Sequence, residues 1–144
     1  MLKRIECLLA VVRARNMDLP GLARMNKRLI EDEGHRNPMG ARALEKRMAG
    51  WLKGGYRAVL FKVSGETVGY CLYRREGDHW YLRQFFIERP FRRRRLGKAA
   101  FRLVRRRYWK NPKRVRVEVL TANKRGRGFW KACGFKEYCL ALER

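Results

Sequence analysis

The spacing of apolar residues predicts helices in four parts of the chain. In each part the apolar residues recur every three to four positions, which gives one apolar face and one charged face. Leu22, Met25 and Leu29 show this spacing clearly, with Arg24 and Arg28 on the other face. The predicted helices cover residues 20–33, 44–52, 96–108 and 124–133.

Short apolar runs and alternating apolar positions predict strands between these helices. Val115, Val117 and Val119 alternate with Arg116 and Glu118, which is the pattern of a strand with one buried face. Glycine-containing turns separate three consecutive runs in the middle of the chain and predict hairpins there. The predicted strands cover residues 9–12, 58–63, 67–73, 79–87, 115–119 and 138–142.

The order of these elements predicts a mixed α+β fold. Along the chain it is β, α, α, β, β, β, α, β, α, β, and no internal repeat or low-complexity linker interrupts it. Such an order predicts one sheet with helices packed on its faces. Because 144 residues is the length of one ordinary domain, residues 1–144 are predicted to form a single domain.

The turn between the fourth predicted strand and the third predicted helix has the most distinctive local chemistry. Four consecutive arginines, residues 92–95, follow Pro90 and precede the helix that begins at Leu96. A helix N-terminus presents free backbone N–H groups and the positive end of its dipole, so this turn is predicted to bind an anion, most naturally a phosphate. Taken alone, the residues fit a solvated basic turn equally well.

The net charge of +24 is extreme for this length and unevenly placed, since Glu118 is the only acid from Arg89 to Lys131. Such a surface attracts phosphates, nucleic acid and anionic membranes, so the charge indicates a class of partner and not a function. The three arginines at 105–107 are predicted to be a solvated helix face, with a nucleic-acid patch as the alternative. Glu118 is predicted to form a structural ion pair.

Cysteine usage and hydropathy bear on the cellular compartment. Cys7, Cys71, Cys133 and Cys139 form neither a CxxC motif nor a metal-binding spacing. They indicate a reduced, cytoplasmic protein with some thiols in its core, and no metal is expected. No apolar run approaches the ~20 residues of a membrane span, and the N-terminal stretch lacks the features of a signal peptide.

Two motifs carry a family resemblance. The basic turn reads Arg-Arg-Arg-Arg-Leu-Gly over residues 92–97 and is followed by Lys-Ala; further on come Asn123, Gly126, Phe129-Trp130 and Gly134-Phe135. Together they resemble the two signatures of the GNAT superfamily of N-acetyltransferases, Gln/Arg-x-x-Gly-x-Gly/Ala and Asn-x-x-(Ala/Gly)-x-x-Phe-Tyr-x-x-x-Gly-Phe. The motifs occur in the right order and strand–helix context, and the resemblance extends over nearly the whole chain.

The resemblance implies a GNAT-like fold, with a twisted, mostly antiparallel sheet of about six to seven strands flanked by about four helices. It also implies direct transfer of an acetyl group from the cosubstrate acetyl-coenzyme A to an amine. The pyrophosphate would lie on the backbone of the basic turn, and the pantetheine arm would pair with the end of the preceding strand. The residues thus assigned to the coenzyme are Phe86, Ile87, Arg92, Arg93, Arg94, Arg95, Leu96, Gly97, Lys98, Ala99, Asn123, Phe129 and Trp130.

The chain departs from the family pattern at two positions. Arg95 stands where the first glycine of the signature is usual, and its guanidinium is expected to add a phosphate contact. Trp130 stands where many relatives carry a tyrosine that acts as general acid. An indole N–H does not deliver such a proton, but a thiol with a pKa of about 8.5 leaves tolerably well without one.

The acceptor site is predicted to include an acidic loop after the first helix. Glu31, Glu33 and His35 lie in this loop, at the place where relatives enclose their substrate, and Gln84 lies near the end of a predicted strand. Carboxylates there favour a cationic amine. The alternative is that the loop is only a frayed helix end in solvent and that His35 is a polar surface residue.

Three residues are candidates for proton transfer. Glu33 and Glu88 are candidate bases, because the attacking amine must lose a proton either to a carboxylate or to a water chain. Tyr138 is a candidate acid in place of the missing tyrosine.

Two functions of different class fit these features. The first is an N-acetyltransferase that acts on a primary amine of a small molecule or peptide, as a monomer or homodimer. The alternative is a basic nucleic-acid-binding module on the same scaffold with vestigial catalysis, for which nucleic-acid contact is expected to be nonspecific. The two differ in whether acetyl-coenzyme A binds saturably.

Overall fold

A computed structural model describes residues 8–92, 95–110 and 114–144. The four predicted helices are all present, with bounds that differ by at most three residues from the prediction. They are α1 (Leu19–Glu33), α2 (Ala41–Lys53), α3 (Leu96–Tyr108) and α4 (Lys124–Ala132). The strands are β1 (Leu9–Arg13), β2 (Arg57–Val63), β3 (Glu66–Glu76), β4 (His79–Ile87) and β5 (Val115–Val117).

The five strands form one sheet in the order β1-β2-β3-β4-β5. The first four pair antiparallel, β1 with β2 across the two intervening helices and β2, β3 and β4 through hairpins. The turn between β2 and β3 places both Ser64 and Gly65 at positive φ, 50° and 81°. Two consecutive residues at positive φ match the right-handed twist of the flanking strands. The mixed α+β fold is therefore confirmed.

The last two strands separate soon after they meet. β4 and β5 pair in parallel at only three positions, from Trp80↔Val115 to Leu82↔Val117. Beyond Leu82, β4 continues to Ile87 while the chain after Val117 leaves the sheet. This divergence opens a gap between β4 and the segment that follows β5.

Helices cover both faces of the sheet. α1 and α2 pack on the face that carries Tyr70 and Leu72, and α3 packs with the chain around α4 on the face that carries Cys71 and Tyr73. Because both faces are covered, the middle of β3 is buried at every position from Val68 to Tyr73 rather than at alternate ones. Among the described residues, no helix combines the length and the apolar character needed to cross a bilayer.

The predicted strand at 138–142 is wrong. The chain after α4 forms no strand within 135–144, and Tyr138, Leu140 and Leu142 have exposed fractions of 73%, 70% and 87%. Apolar alternation indicates a strand only where another edge supplies backbone hydrogen bonds, and the sequence pattern does not name that partner. The described sheet consequently has five strands, fewer than expected.

Candidate active site

A cleft with a volume of about 460 Å³ occupies the gap between β4 and the segment after β5. Its walls come from the end of α1, the end of β4, the segment after β5 and the first turns of α3 and α4. The fold therefore brings together parts of the chain that lie far apart in sequence. Nine of the predicted site residues line it: Glu33, Ile87, Arg92, Arg95, Gly97, Lys98, Asn123, Phe129 and Trp130.

One end of the cleft is cationic. Arg95 and Lys98 at the start of α3 and Arg125 in the first turn of α4 all line it, so two helix N-termini meet at the same place. The free N–H groups of a first helical turn and the helix dipole both favour an anion there. The predictions for Arg93 and Arg94 lie outside the described residues.

Arg95 has an unusual backbone conformation. It is the N-cap of α3 and lies in the left-handed region, with φ 59° and ψ 10°. Glycine adopts this region at little cost, whereas a side chain is strained in it. The signature therefore prefers glycine at this position because the backbone there is left-handed. Arg95 adopts the same conformation but is strained in it.

One glycine lets the start of α3 come close to α4, and a second makes room for the N-cap of α4. A Cβ atom on Gly97 would lie 2.9 Å from Cε2 of Phe129, and one on Gly126 would lie 2.6 Å from Nδ2 of Asn123. The Gly126 N–H donates to Oδ1 of Asn123 at 3.0 Å and caps α4. Since Oδ1 is used in this cap, the amide nitrogen of Asn123 is the group left to meet a ligand.

The turn after β4 is held against α1 by ion pairs. Nη2 of Arg89 donates to Oδ1 of Asp32 at 3.0 Å, and Arg92 donates to the other oxygen of that carboxylate. Arg28 donates through Nε and Nη2 to both oxygens of Glu88, at 2.8 and 3.0 Å. Burial raises the pKa of Asp32, but the hydrogen bonds and charges of Arg92 and Arg89 outweigh burial and hold it below its usual value.

The backbone of β4 near the cleft alternates in direction. The Glu88 N–H donates to the Val68 carbonyl of β3 at 2.8 Å, so the backbone of Phe86 also faces β3. The backbone of Phe85 and Ile87 then faces the gap, where Nε of Arg92 donates to the Ile87 carbonyl at 2.6 Å. Of the two predicted backbone contacts, the structure places Ile87 at the gap and Phe86 away from it.

Glu33 is the predicted acceptor residue that the structure brings into the cleft. Its Oε2 lies 2.8 Å from Nε2 of His35, whose exposed side chain is not part of the lining. Burial raises the pKa of Glu33 against the opposing charge and hydrogen bond of His35. A partly buried carboxylate with a raised pKa is suited to accept a proton near neutral pH.

Several other predicted residues lie outside the lining. Glu31 is exposed, and Glu88 is occupied by Arg28. Tyr138 is exposed on the surface and accepts a hydrogen bond from Nη2 of Arg116 at 3.2 Å. Gln84 accepts a 2.8 Å hydrogen bond from the hydroxyl of Tyr70, which is fully buried on the α1–α2 face of the sheet. Leu96 and Ala99 lie in the first turn of α3 but are not part of the lining either.

Trp130 lies in an aromatic cluster. The distances between ring centroids are 5.2 Å to Phe85, 5.5 Å to Phe101, 4.8 Å to Phe129 and 5.1 Å to Phe135. Trp130 also lines the cleft. The tryptophan therefore packs the wall of the cleft, and the position carries no hydroxyl.

Glu118 was not predicted to be a site residue, but it lines the cleft. Among the described residues Glu118 has no ion pair, so the predicted structural ion pair is not found there. Val117 packs into the core on the α3–α4 side, so alternation directs Glu118 to the α1–α2 side, where Glu33 also lies. That alternation was visible in the sequence, but the early end of β5 was not.

The comparisons with known proteins agree with this geometry. The chain belongs to the acetyltransferase (GNAT) family, whose profile matches residues 23–135. No curated protein matches the chain.

Solved structures show the same fold at low sequence identity. A possible acetyltransferase from Clostridium difficile 630 has 16% identity and a TM-score of 0.77, covering 95% of this chain and 96% of that one. The aminoglycoside N-acetyltransferase AAC(6')-Iy, solved with CoA, has 15% identity and a TM-score of 0.74, covering 94% and 93%. An acetyltransferase from Thermus thermophilus has 19% identity and a TM-score of 0.74, covering 89% and 86%.

Proposed function

We propose that the protein is an N-acetyltransferase that moves an acetyl group from acetyl-coenzyme A to a primary amine of a cationic small molecule or peptide. One observation carries the proposal. A single cleft has a cationic end at two helix N-termini and also exposes two carboxylates with no arginine partner among the described residues, Glu33 and Glu118, on the opposite side of the sheet. The first feature fits the phosphates of the coenzyme, and the second fits an ammonium group. The third lining carboxylate, Asp32, is instead paired with Arg89 and Arg92.

The cationic end suits a pyrophosphate. Arg95, Lys98 and Arg125 supply charge, and the first turns of α3 and α4 supply backbone N–H groups. Gly97 keeps a side chain away from the place where α3 meets α4, and Gly126 leaves room for the Asn123 cap. Coenzyme A brings to this site an activated acetyl thioester.

The free edge of β4 suits the pantetheine arm. Beyond Leu82, no described strand pairs with this edge, and the backbone of Phe85 and of Ile87 faces it. An extended amide-bearing chain can pair with such an edge as an added strand. Because the Ile87 carbonyl is already occupied by Arg92, the Ile87 N–H is the group we assign to polarising the thioester carbonyl.

The carboxylates suit the amine. Glu118, without an ion pair in the described part of the chain, holds the incoming ammonium, and Glu33, with its raised pKa, accepts its proton. The neutral nitrogen then bonds to the carbonyl carbon, the carbon–sulfur bond breaks, and the nitrogen gives up its second proton to solvent or to the departing sulfur. The electron pair leaves on the thiolate, whose pKa of about 8.5 makes departure possible without an acid at position 130.

We further propose that the protein acts in the cytoplasm as a single domain. Cys71, Cys133 and Cys139 are all free thiols, and Cys71 is buried, which suits a reducing compartment. The alternative of a nucleic-acid module with vestigial catalysis gains no support from the cleft, because a site for a polyanion alone has no use for the Glu33 and Glu118 carboxylates.

The experiment is a thiol-release assay with acetyl-coenzyme A and a panel of mono-, di- and polyamines. We expect turnover with at least one cationic amine, a loss of kcat in Glu33→Gln, and a rise in the KM for the amine in Glu118→Gln. Glu31→Gln is the matched control, since Glu31 is exposed and outside the cleft. Unchanged kinetics in both cleft variants, or no turnover with any amine despite saturable coenzyme binding, would overturn the proposal.

A further inference from the structure

The two faces of the sheet differ sharply in charge. The helices α3 and α4 together contain nine lysines and arginines and no aspartate or glutamate. The helices α1 and α2 on the other face contain seven lysines and arginines together with four acids. The helices of the α3–α4 side therefore carry a net charge of +9, against +3 for the helices of the α1–α2 side.

The centre of this basic side is a stripe along α3, which consists of Arg102, Arg105 and Arg106. All three are exposed, Arg102 and Arg106 on the side of α3 away from the core and Arg105 with its guanidinium 5.6 Å from the centroid of the Phe101 ring. Their spacing of three and four residues puts neighbouring side chains about 5–6 Å apart at Cβ. The ion pairs found in the described residues include none of the three.

The stripe is continuous with α4. Lys98 and Arg102 lie near Cys133 at the end of α4 and act to lower the pKa of its thiol, although burial keeps it raised overall. Lys131, two residues before Cys133, is also exposed, and its Nζ lies 3.7 Å from Oε1 of Glu137, which also pairs with Arg127. The basic surface thus spans two adjacent helices on the outer side of the molecule.

Arginine is the residue that suits phosphate recognition, because its planar guanidinium donates two parallel hydrogen bonds to one phosphate group. We propose that the α3–α4 surface binds double-stranded DNA through its backbone phosphates, without reading base sequence. The inference is independent of the proposed acetyl transfer, since the stripe residues do not line the cleft.

The composition of the surface favours a duplex over other polyanions. The large apolar side chains that are exposed in the described chain lie elsewhere, so neither α3 nor α4 offers an aromatic platform for stacking single-stranded bases. For the same reason the surface has nothing to insert into the acyl boundary of a membrane. The exposed side of α3 can face the major groove of B-form DNA, about 12 Å wide, with its arginines directed at the flanking phosphates, whereas the major groove of A-form RNA is too narrow for side chains to enter.

The test measures the binding of a fluorescein-labelled duplex DNA by anisotropy from about 50 to about 200 mM salt. The variant Arg102→Gln/Arg105→Gln/Arg106→Gln removes three charges from the stripe. The matched control, Arg24→Gln/Arg42→Gln/Lys46→Gln, removes three exposed charges from α1 and α2. Glutamine has nearly the helix propensity of arginine and lysine, so the helices are expected to persist.

We expect the wild-type protein to bind the duplex, with affinity that falls steeply as salt rises. In the stripe variant the slope of log K against log salt should fall by about 3, at about 0.9 per lost phosphate contact, and affinity at the lower salt should fall at least about tenfold. The control triple variant should keep most of the slope. The single variant Arg102→Gln should lower the slope by about 1. It keeps the test valid if the triple variant fails to fold.

Three results would overturn the inference. The first is absence of duplex binding by the wild-type protein. The second is an equal loss in the stripe variant and in the control, which would mean that only total charge matters. The third is equal or tighter binding to single-stranded DNA, to duplex RNA or to vesicles of anionic lipid.

Discussion

The Cα of Gly97 lies directly beside the ring of Phe129, so that a Cβ atom on Gly97 would be 2.9 Å from Cε2 and 3.2 Å from Cζ of that ring. The Phe129 ring in turn stacks on Phe85, with 5.6 Å between centroids. The glycine of the coenzyme signature therefore also permits close packing of α3 on α4.

Gly97→Ala should consequently lower stability as well as coenzyme affinity. Displacing the Phe129 ring is expected to cost about 1–3 kcal/mol in the free energy of unfolding, measured by urea denaturation. The matched control is Gly128→Ala, where nothing lies within 4 Å of the added methyl and alanine favours the helix. Equal stability of Gly97→Ala and the wild type would contradict the contact with Phe129.

Two substitutions at Arg95 separate the effect of backbone strain from the effect of the side-chain charge. Both Arg95→Gly and Arg95→Ala remove the guanidinium, but only glycine relieves the left-handed backbone at φ 59°. We expect Arg95→Gly to be more stable than Arg95→Ala by about 1 kcal/mol, and both to weaken acetyl-coenzyme A binding equally. The measurements are urea denaturation and calorimetry, and an alanine variant at least as stable as the glycine variant would refute the strain.

Asp32 is expected to stabilise the turn after β4 in a pH-dependent way. Its pKa is held below the ordinary value of 3.8 in the folded state, so its contribution is present above that pH and is lost as pH falls through the folded-state value. Asp32→Asn should cost about 1 kcal/mol or less at pH 7, because solvent screens the exposed pairs of Asp32 with Arg89 and Arg92. The difference in urea midpoint between wild type and variant should shrink below about pH 4, with exposed Glu31→Gln as control. A difference that persists at low pH would contradict the assignment.

Trp130 is expected to act through packing and not through proton donation. Trp130→Phe should keep kcat within about threefold, and Trp130→Tyr should give no gain, because a thiolate of pKa about 8.5 leaves without an acid. Trp130→Ala should lose about 3–5 kcal/mol of stability, since four aromatic neighbours lose their contact. A large rise of kcat in Trp130→Tyr would show that protonation of the leaving group limits the rate.

Local patterns predicted most of the fold, and long-range geometry accounts for what they missed. The helices were predicted because a 3.6-residue apolar period is a local property, as in Leu96, Ala100 and Val104 of α3. The strand at 138–142 was predicted from alternating apolar positions, which are also a local signal. A strand, however, needs the edge of a neighbouring strand for its backbone hydrogen bonds.

The site was predicted unevenly for the same reason. Residues that belong to a local motif, such as Gly97 in the first signature and Asn123 in the second, line the cleft as expected. Glu118 and Asp32 were missed, because the first depends on where β5 separates from β4 and the second on ion pairs with Arg89 and Arg92 across 57 and 60 residues of chain. Glu88 was a candidate base on its position alone, and its pairing with Arg28 depends on how α1 packs.

The central claim is that the cationic end of the cleft binds acetyl-coenzyme A. The most direct measurement is a calorimetric titration at ~150 mM salt, where exposed charges are screened beyond about 8 Å. It compares the wild type with Lys98→Glu/Arg125→Glu in the cleft and with Arg102→Glu/Arg106→Glu outside it, two variants with the same change in net charge. We expect saturable one-to-one binding that the cleft variant loses and the outer variant keeps. Weak binding that both variants reduce equally would contradict the claim.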